Sequence, residues 1–167
     1  MVSLEGYMQV LKSICEENVP GKKTVQKLMY LMERKGVNLG LYYKIHFFGP
    51  YSVELDNVLR TLQNNDYIDI NTTGVTHTIH IKEVSEYDAL TEKEKDAVSY
   101  VINMFGKKSA LELEGITTVD YIACSFEQEE VDDLKIIEGV KRIKGTKFTG
   151  EQLFEYLSVL KEYGFLN

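Results

Sequence analysis

Proline and cysteine are scarce in this chain, two of each, and no apolar run approaches the ~20 residues that a bilayer-spanning helix needs. Few prolines, with 27% charged and 44% hydrophobic residues, argue against a disordered chain and for one well-filled core. The two cysteines, Cys15 and Cys124, lie in separate apolar-periodic segments, so no disulfide framework is indicated. The N-terminus, Met-Val-Ser-Leu-Glu-Gly, lacks the basic-then-apolar order of a secretory signal. A reducing cytoplasm is the expected location, without a membrane anchor. The nucleophile-elbow, phosphate-loop, H-E-x-x-H and C-x-x-C motifs are also missing, so nothing calls for an enzyme, a cofactor or a metal.

Charge is present but uneven. Residues 1–82 carry nine Lys/Arg against eight Asp/Glu, and residues 83–167 carry ten against eighteen, for a net charge of −7. An acidic body repels a phosphate backbone, so nucleic-acid binding would require a local basic patch in the first half.

The stretch His46-Phe-Phe-Gly-Pro-Tyr-Ser52 organises the pattern on either side of it. Pro50 has no N–H and disfavours helical geometry at Gly49, so an extended segment over Tyr43–Phe47 is expected to stop there. Ser52 can cap the helix that follows, whose Leu55, Val58, Leu59 and Leu62 recur at helical spacing. Upstream, Leu4, Tyr7, Met8, Leu11 and Ile14 predict a helix over about residues 3–17. Val25, Leu28, Met29 and Met32 predict a second over about 22–35, ended by Gly36. Downstream, Ile68/Ile70 and Val75/His77/Ile79/Ile81 alternate on either side of Thr73-Gly74 and predict a hairpin. Thr91–Glu94, Ser109–Glu112 and Thr149–Gln152 have capping-box spacing, and a further helix is expected over about 129–143 with Val131, Leu134, Ile137 and Val140 inward.

The fold expected is therefore mainly α (α+β): a winged-helix-like N-terminal half, residues 1–84, with a β-hairpin wing, followed by a C-terminal helical bundle, residues 85–167, packed on it and sharing its core. In a winged helix the helix after Ser52 can enter the major groove. Asn57, Arg60, Gln63 and Asn64 would then face base edges, and Lys22, Lys23 and Lys27 would face phosphates. The plainer reading of those lysines is a solvated helix face. Glu54 and Asp56 in that helix's first turn oppose DNA docking. Glu127, Glu129, Glu130, Asp132 and Asp133 form the densest acidic cluster, which suits a helix N-terminus and could also hold a basic protein partner. His77 and His80 fall on opposite faces of a strand and do not make a ligand pair, and His46 is expected to be a hydrogen-bonded structural histidine.

Lys23-Thr-Val-Gln-Lys-Leu-Met-Tyr-Leu31, followed by Tyr43-Lys-Ile-His-Phe-Phe-Gly-Pro-Tyr-Ser52 and Leu55, resembles the K-L-Q-K-L-x-Y … Y-G-P-x-S-x-x-L pattern of the Panacea domain, a phage-associated family with SocA-like antitoxins and YwgA-like proteins. Val25 stands where the family has leucine, Phe48 where it has tyrosine, and Thr117-Thr118 where it often carries Thr-His. The resemblance implies a small helical protein that neutralises a toxin encoded nearby by direct contact. It assigns Gln26, Lys27, Leu28 and Tyr30 to a helix motif and Gly49, Pro50, Ser52 and Leu55 to a turn motif, with mainly structural roles. A non-enzymatic protein-binding role is thus the first expectation, and a winged-helix DNA-binding regulator the second.

Overall fold

The structure, a computed structural model, describes residues 1–126 and 131–167. It is mainly helical, with seven helices and two small antiparallel hairpins among those residues. The helices start where side chains satisfy free backbone N–H groups. All three expected capping boxes close in both directions, opening α4 (Glu92–Phe105), α5 (Ala110–Ser125) and α7 (Gly150–Glu162). Asp132 accepts from Lys135 N and starts α6 (Asp133–Lys144) four residues later than the sequence suggests. Ile136, Ile137 and Val140 point inward, while Leu134, expected to be buried, is exposed.

The N-terminal half runs α1 (Leu4–Ile14), α2 (Lys22–Arg34), β1 (Lys44–His46), β2 (Gly49–Tyr51), α3 (Val53–Asn64), β3 (Ile68–Asn71) and β4 (Thr78–Ile81). This is winged-helix order with one addition. The wing β3–β4 pairs Ile68 with Ile81 and Ile70 with Ile79, and it is shorter than expected because Val75 and His77 stay outside its strands. Gly21, in the turn between α1 and α2, bridges to Thr78 and ties the wing to the first two helices. The addition is the β1–β2 hairpin, where the sequence suggested a single strand stopped by Pro50. Gly49 has φ +91°, a conformation L side chains rarely adopt, and the chain folds back through Phe47-Phe48 to pair His46 with Gly49 and Ile45 with Pro50. Pro50 is tolerated because each strand of a two-stranded hairpin is an edge. Its carbonyl accepts instead from the Lys27 ammonium of α2.

Apolar side chains of both halves belong to one buried cluster that runs from Tyr7 to Phe165. At its centre α5 packs against α2, α6, α7 and β2. By helical spacing Leu113, Ile116, Ala123 and Phe126 make one apolar face on this helix. The structure buries nearly its whole circumference from Leu113 to Asp120, polar residues included, and leaves Ala123 and Phe126 only partly covered. Each buried polar group then needs a partner. Asp120, fully buried, accepts from Tyr30 Oη at 2.7 Å and from Arg34 Nε and Nη2 at 2.7 and 3.1 Å. Arg34 also donates to Phe165 O, which joins α2, α5 and the C-terminal turn through one guanidinium. Hydrogen bonding to Asp120 drives the Arg34 pKa further up, and burial does the same to the Tyr30 hydroxyl.

A Cβ added at Gly49 would lie 2.9 Å from Thr118 Oγ1 and 3.4 Å from Glu114 Cγ on α5, besides holding a strained φ. Gly49→Val is therefore expected to cost at least about 2–3 kcal/mol and to lower the melting temperature by on the order of 5–10 °C. Pro50→Ala should cost under about 1 kcal/mol. Thermal melts followed by circular dichroism decide both, and an unchanged Gly49→Val melt would remove this turn from its organising role.

Candidate functional site

The β1–β2 hairpin is held from beneath by side chains distant in sequence. Gln26 of α2 uses both ends of its amide: Nε2 donates to Ser52 O and Oε1 accepts from Ser52 N, each at 2.9 Å, copying a strand pairing. Lys27 Nζ donates to Pro50 O at 2.6 Å, and Lys144 Nζ of α6 donates to Phe47 O at 2.6 Å. Backbone groups of Phe47, Pro50 and Ser52 are thereby fixed to two helices.

What this framework presents is a pair of phenyl rings. Phe47 is 74% exposed and Phe48 37%, in a T-shaped contact with centroids 4.8 Å apart. The Lys23 ammonium sits 3.2 Å from the Phe48 centroid, and that of Lys147 lies 5.3 Å from both rings. A cation over a ring face is favoured by the ring quadrupole, so these lysines orient the rings without covering them. The buried carboxylate of Glu114 answers part of this charge. Its Oε1 accepts from Lys147 at 3.0 Å, while Oε2 lies 2.8 Å from the same ammonium and 3.7 Å from Lys144 as ion-pair contacts without a directed hydrogen bond.

Two depressions flank the rings. On one side a cleft of about 350 Å³ lies between the start of α2, the hairpin, Asp56 of α3 and the wing tip, with Lys22, Lys23, Lys27, His46, Phe48, Tyr51 and His77 among its walls. On the other, Ile45, Phe47, Ile143, Lys144 and Lys147 line a shallower one. Lys27 forms the floor of the first. Burial pushes its pKa down to about 8, with Lys144 and Lys23 lowering it further and Glu114 opposing them.

These positions revise several expectations. Lys27 is 2% exposed and bonded to the hairpin, so it belongs neither to a solvated face nor to a phosphate-contacting one. Lys22 pairs with Asp56 at 3.5 Å, and Lys23 alone of the three is exposed. On α3, Asn57, Arg60 and Asn64 are exposed and Gln63 is half-buried. Of the acidic cluster, Glu127, Glu129 and Glu130 lie outside the described residues, Asp132 caps α6, and Asp133 pairs with Lys161 at 2.8 Å. His46 is exposed and packs against the Tyr51 ring at 5.0 Å, rather than sitting in a buried hydrogen bond. The His77 carbonyl accepts from Lys22 N just before β4, and His80 lies 3.1 Å from Thr78 Oγ1. Among the described residues no group of three His, Cys, Asp or Glu side chains could hold a metal ion. Gln26, Ser52 and Leu55 are buried.

Sequence reading missed Phe47 and Phe48 as presented groups, because aromatic residues in an extended run look half-buried. It missed Lys144, Lys147 and Glu114 altogether, since Lys144 meets Phe47 across 97 positions and Lys147 meets Glu114 across 33.

No known family model matches the chain, and no curated protein matches it.

Between pH 8 and its ordinary value near 10.5, Lys27 binds fewer protons in the folded chain than in the unfolded one, so its contribution to stability rises with pH across that window. Wild type should gain on Lys27→Met by up to about 1 kcal/mol per pH unit between pH 8 and 9.5 in urea titrations. A constant difference between the two would place the Lys27 pKa at its ordinary value.

Proposed function

We propose that the protein is a non-enzymatic interaction protein that docks a protein partner on the tip of the β1–β2 hairpin, and that it neutralises that partner by direct contact, as do the Panacea-type antitoxins it resembles. The observation that carries this reading is the presentation of Phe47 and Phe48 on a backbone fixed at three points. Aromatic anchors that become fully desolvated supply most of the energy in protein interfaces, and a preorganised segment loses little entropy on binding. A free protein has no folding reason to hold 74% of a phenylalanine in water beside a second phenyl ring.

Of the acidic cluster, Asp132 and Asp133 are committed to the α6 cap and to Lys161, which leaves these two less available to a basic partner. DNA binding is the second reading, favoured by the exposed Asn57, Arg60 and Asn64 on α3. It loses Lys27 to burial and part of Lys22 to Asp56, and exposed Glu54 opens the same helix.

Phe47→Ala/Phe48→Ala is expected to weaken binding of the protein that co-purifies from the native host by about 100-fold or more, roughly 3 kcal/mol. The melting temperature should move by only a few degrees, since Phe47 fills no core space. Asp133→Lys should leave binding unchanged. Retention of the partner by the double alanine variant sinks the hairpin-docking reading. Duplex binding at about 0.15 M salt that Arg60→Ala abolishes would establish the second reading instead.

A further inference from the structure

The positive charge around the hairpin tip exceeds what the protein itself neutralises. Lys22, Lys23, Lys27, Lys144 and Lys147 converge on the two rings and their flanking depressions, and Asp56 and Glu114 are the carboxylates that pair with members of this group. Among the described residues, five ammonium groups thus face two carboxylates, an excess of three, on a chain whose net charge is −7. Burial is the main cause of the low Lys27 pKa, with Glu114 opposing it and Lys144 and Lys23 adding to it. The start of α2 adds to the same field. Gly21 offers no capping side chain and the first turn of α2 contains no acidic residue, so the helix supplies no counter-charge of its own beside Lys22 and Lys23, and Asp56 of α3 pairs with Lys22 alone of these two.

We propose that the partner segment received here is an extended acidic peptide. It places an apolar side chain against Phe47 and Phe48, one carboxylate in the 350 Å³ cleft beside Lys22 and Lys23, and another on the far side near Lys147. This rests on the docking reading above and specifies the chemistry of the partner.

A short acidic segment is favoured over a nucleic acid by the reach of the charges. Screening confines an exposed lysine's influence to about 8 Å at physiological ionic strength, so a local excess of three charges can serve a segment of a few residues. A phosphate polymer extends beyond the patch, onto a body of opposite preference that begins at Glu54 and Asp56 on α3. The phenyl rings also suit an apolar side chain between two carboxylates, which an extended peptide presents on one face when the acidic residues stand two positions to either side of the apolar one.

The test uses the full chain and fluorescence anisotropy with three probes: labelled Glu-Glu-Phe-Glu-Glu-Glu, its amide counterpart Gln-Gln-Phe-Gln-Gln-Gln, and an oligothymidylate of similar length. At low salt the acidic peptide should bind at least about tenfold more tightly than either of the others and weaken steeply toward about 0.15 M. Lys22→Glu/Lys23→Glu should abolish that preference, and the milder Lys23→Gln should reduce it, with melting curves confirming that both variants fold. Equal binding of the acidic and amide peptides overturns the proposal, as does stronger binding of the oligothymidylate. If the peptides bind alike while Phe47→Ala/Phe48→Ala still releases the native partner, hairpin docking stands and the acidic chemistry falls. If that variant keeps the native partner, the docking reading itself falls.

Discussion

A buried helix that carries polar side chains must find a partner for each of them, and in this protein that requirement settles on α2. One stripe of α2 fills the core with Val25, Leu28, Met29 and Met32. The residues beside it, Gln26, Lys27, Tyr30 and Arg34, are also wholly or partly buried, and they reach Ser52, Pro50, Asp120, and Asp120 with Phe165 in turn. Removing a partner would leave a buried donor or charge uncompensated, which costs more than the bond itself contributes. These polar contacts therefore fix where the hairpin, α5 and the C-terminus lie relative to α2 more narrowly than apolar packing could, because apolar contact has no direction.

The same contacts make the hairpin tip a rigid device. Two short strands alone would be marginal in water. Here the backbone is held by an amide that mimics a strand, by two ammonium groups, and by a glycine pressed against Thr118 and Glu114 of α5. A flexible loop displaying two phenylalanines would bury them by collapsing onto the body. This hairpin is prevented from doing so, and exposed apolar surface that cannot collapse is available to another molecule. The lysines around it have a double role: Lys27 and Lys144 build the support, while Lys23 and Lys147 shape the surroundings of the rings.

Local readings of the sequence held where the signal is itself local. The three capping boxes, the cap at Ser52 and the wing hairpin all formed, because each depends on groups within a few residues of one another. The start of α6 was misplaced for a local reason as well. Asp132 is a strong cap, whereas the apolar period invited an earlier start. The β1–β2 hairpin shows a different failure. Gly49-Pro50 was recognised as a stop, but whether an extended chain stops or turns back depends on what awaits it, here the Lys27 and Gln26 side chains and the face of α5.

By itself the sequence determined the starts of α3, α4, α5 and α7, the winged-helix order of the first half and, among the described residues, the absence of any helix long and apolar enough to cross a membrane. Short-range sterics and hydrogen bonding dictate these, and they are complete within a dozen residues. Tertiary structure alone decided that Lys27 is interior, that Glu114 and Asp120 are the buried counter-charges, and that Phe47 and Phe48 face outward with Lys144 and Lys147 beside them. The burial of a side chain and the charge opposite it are properties of elements that meet across as many as 97 positions, and no period or motif within a single segment encodes that meeting.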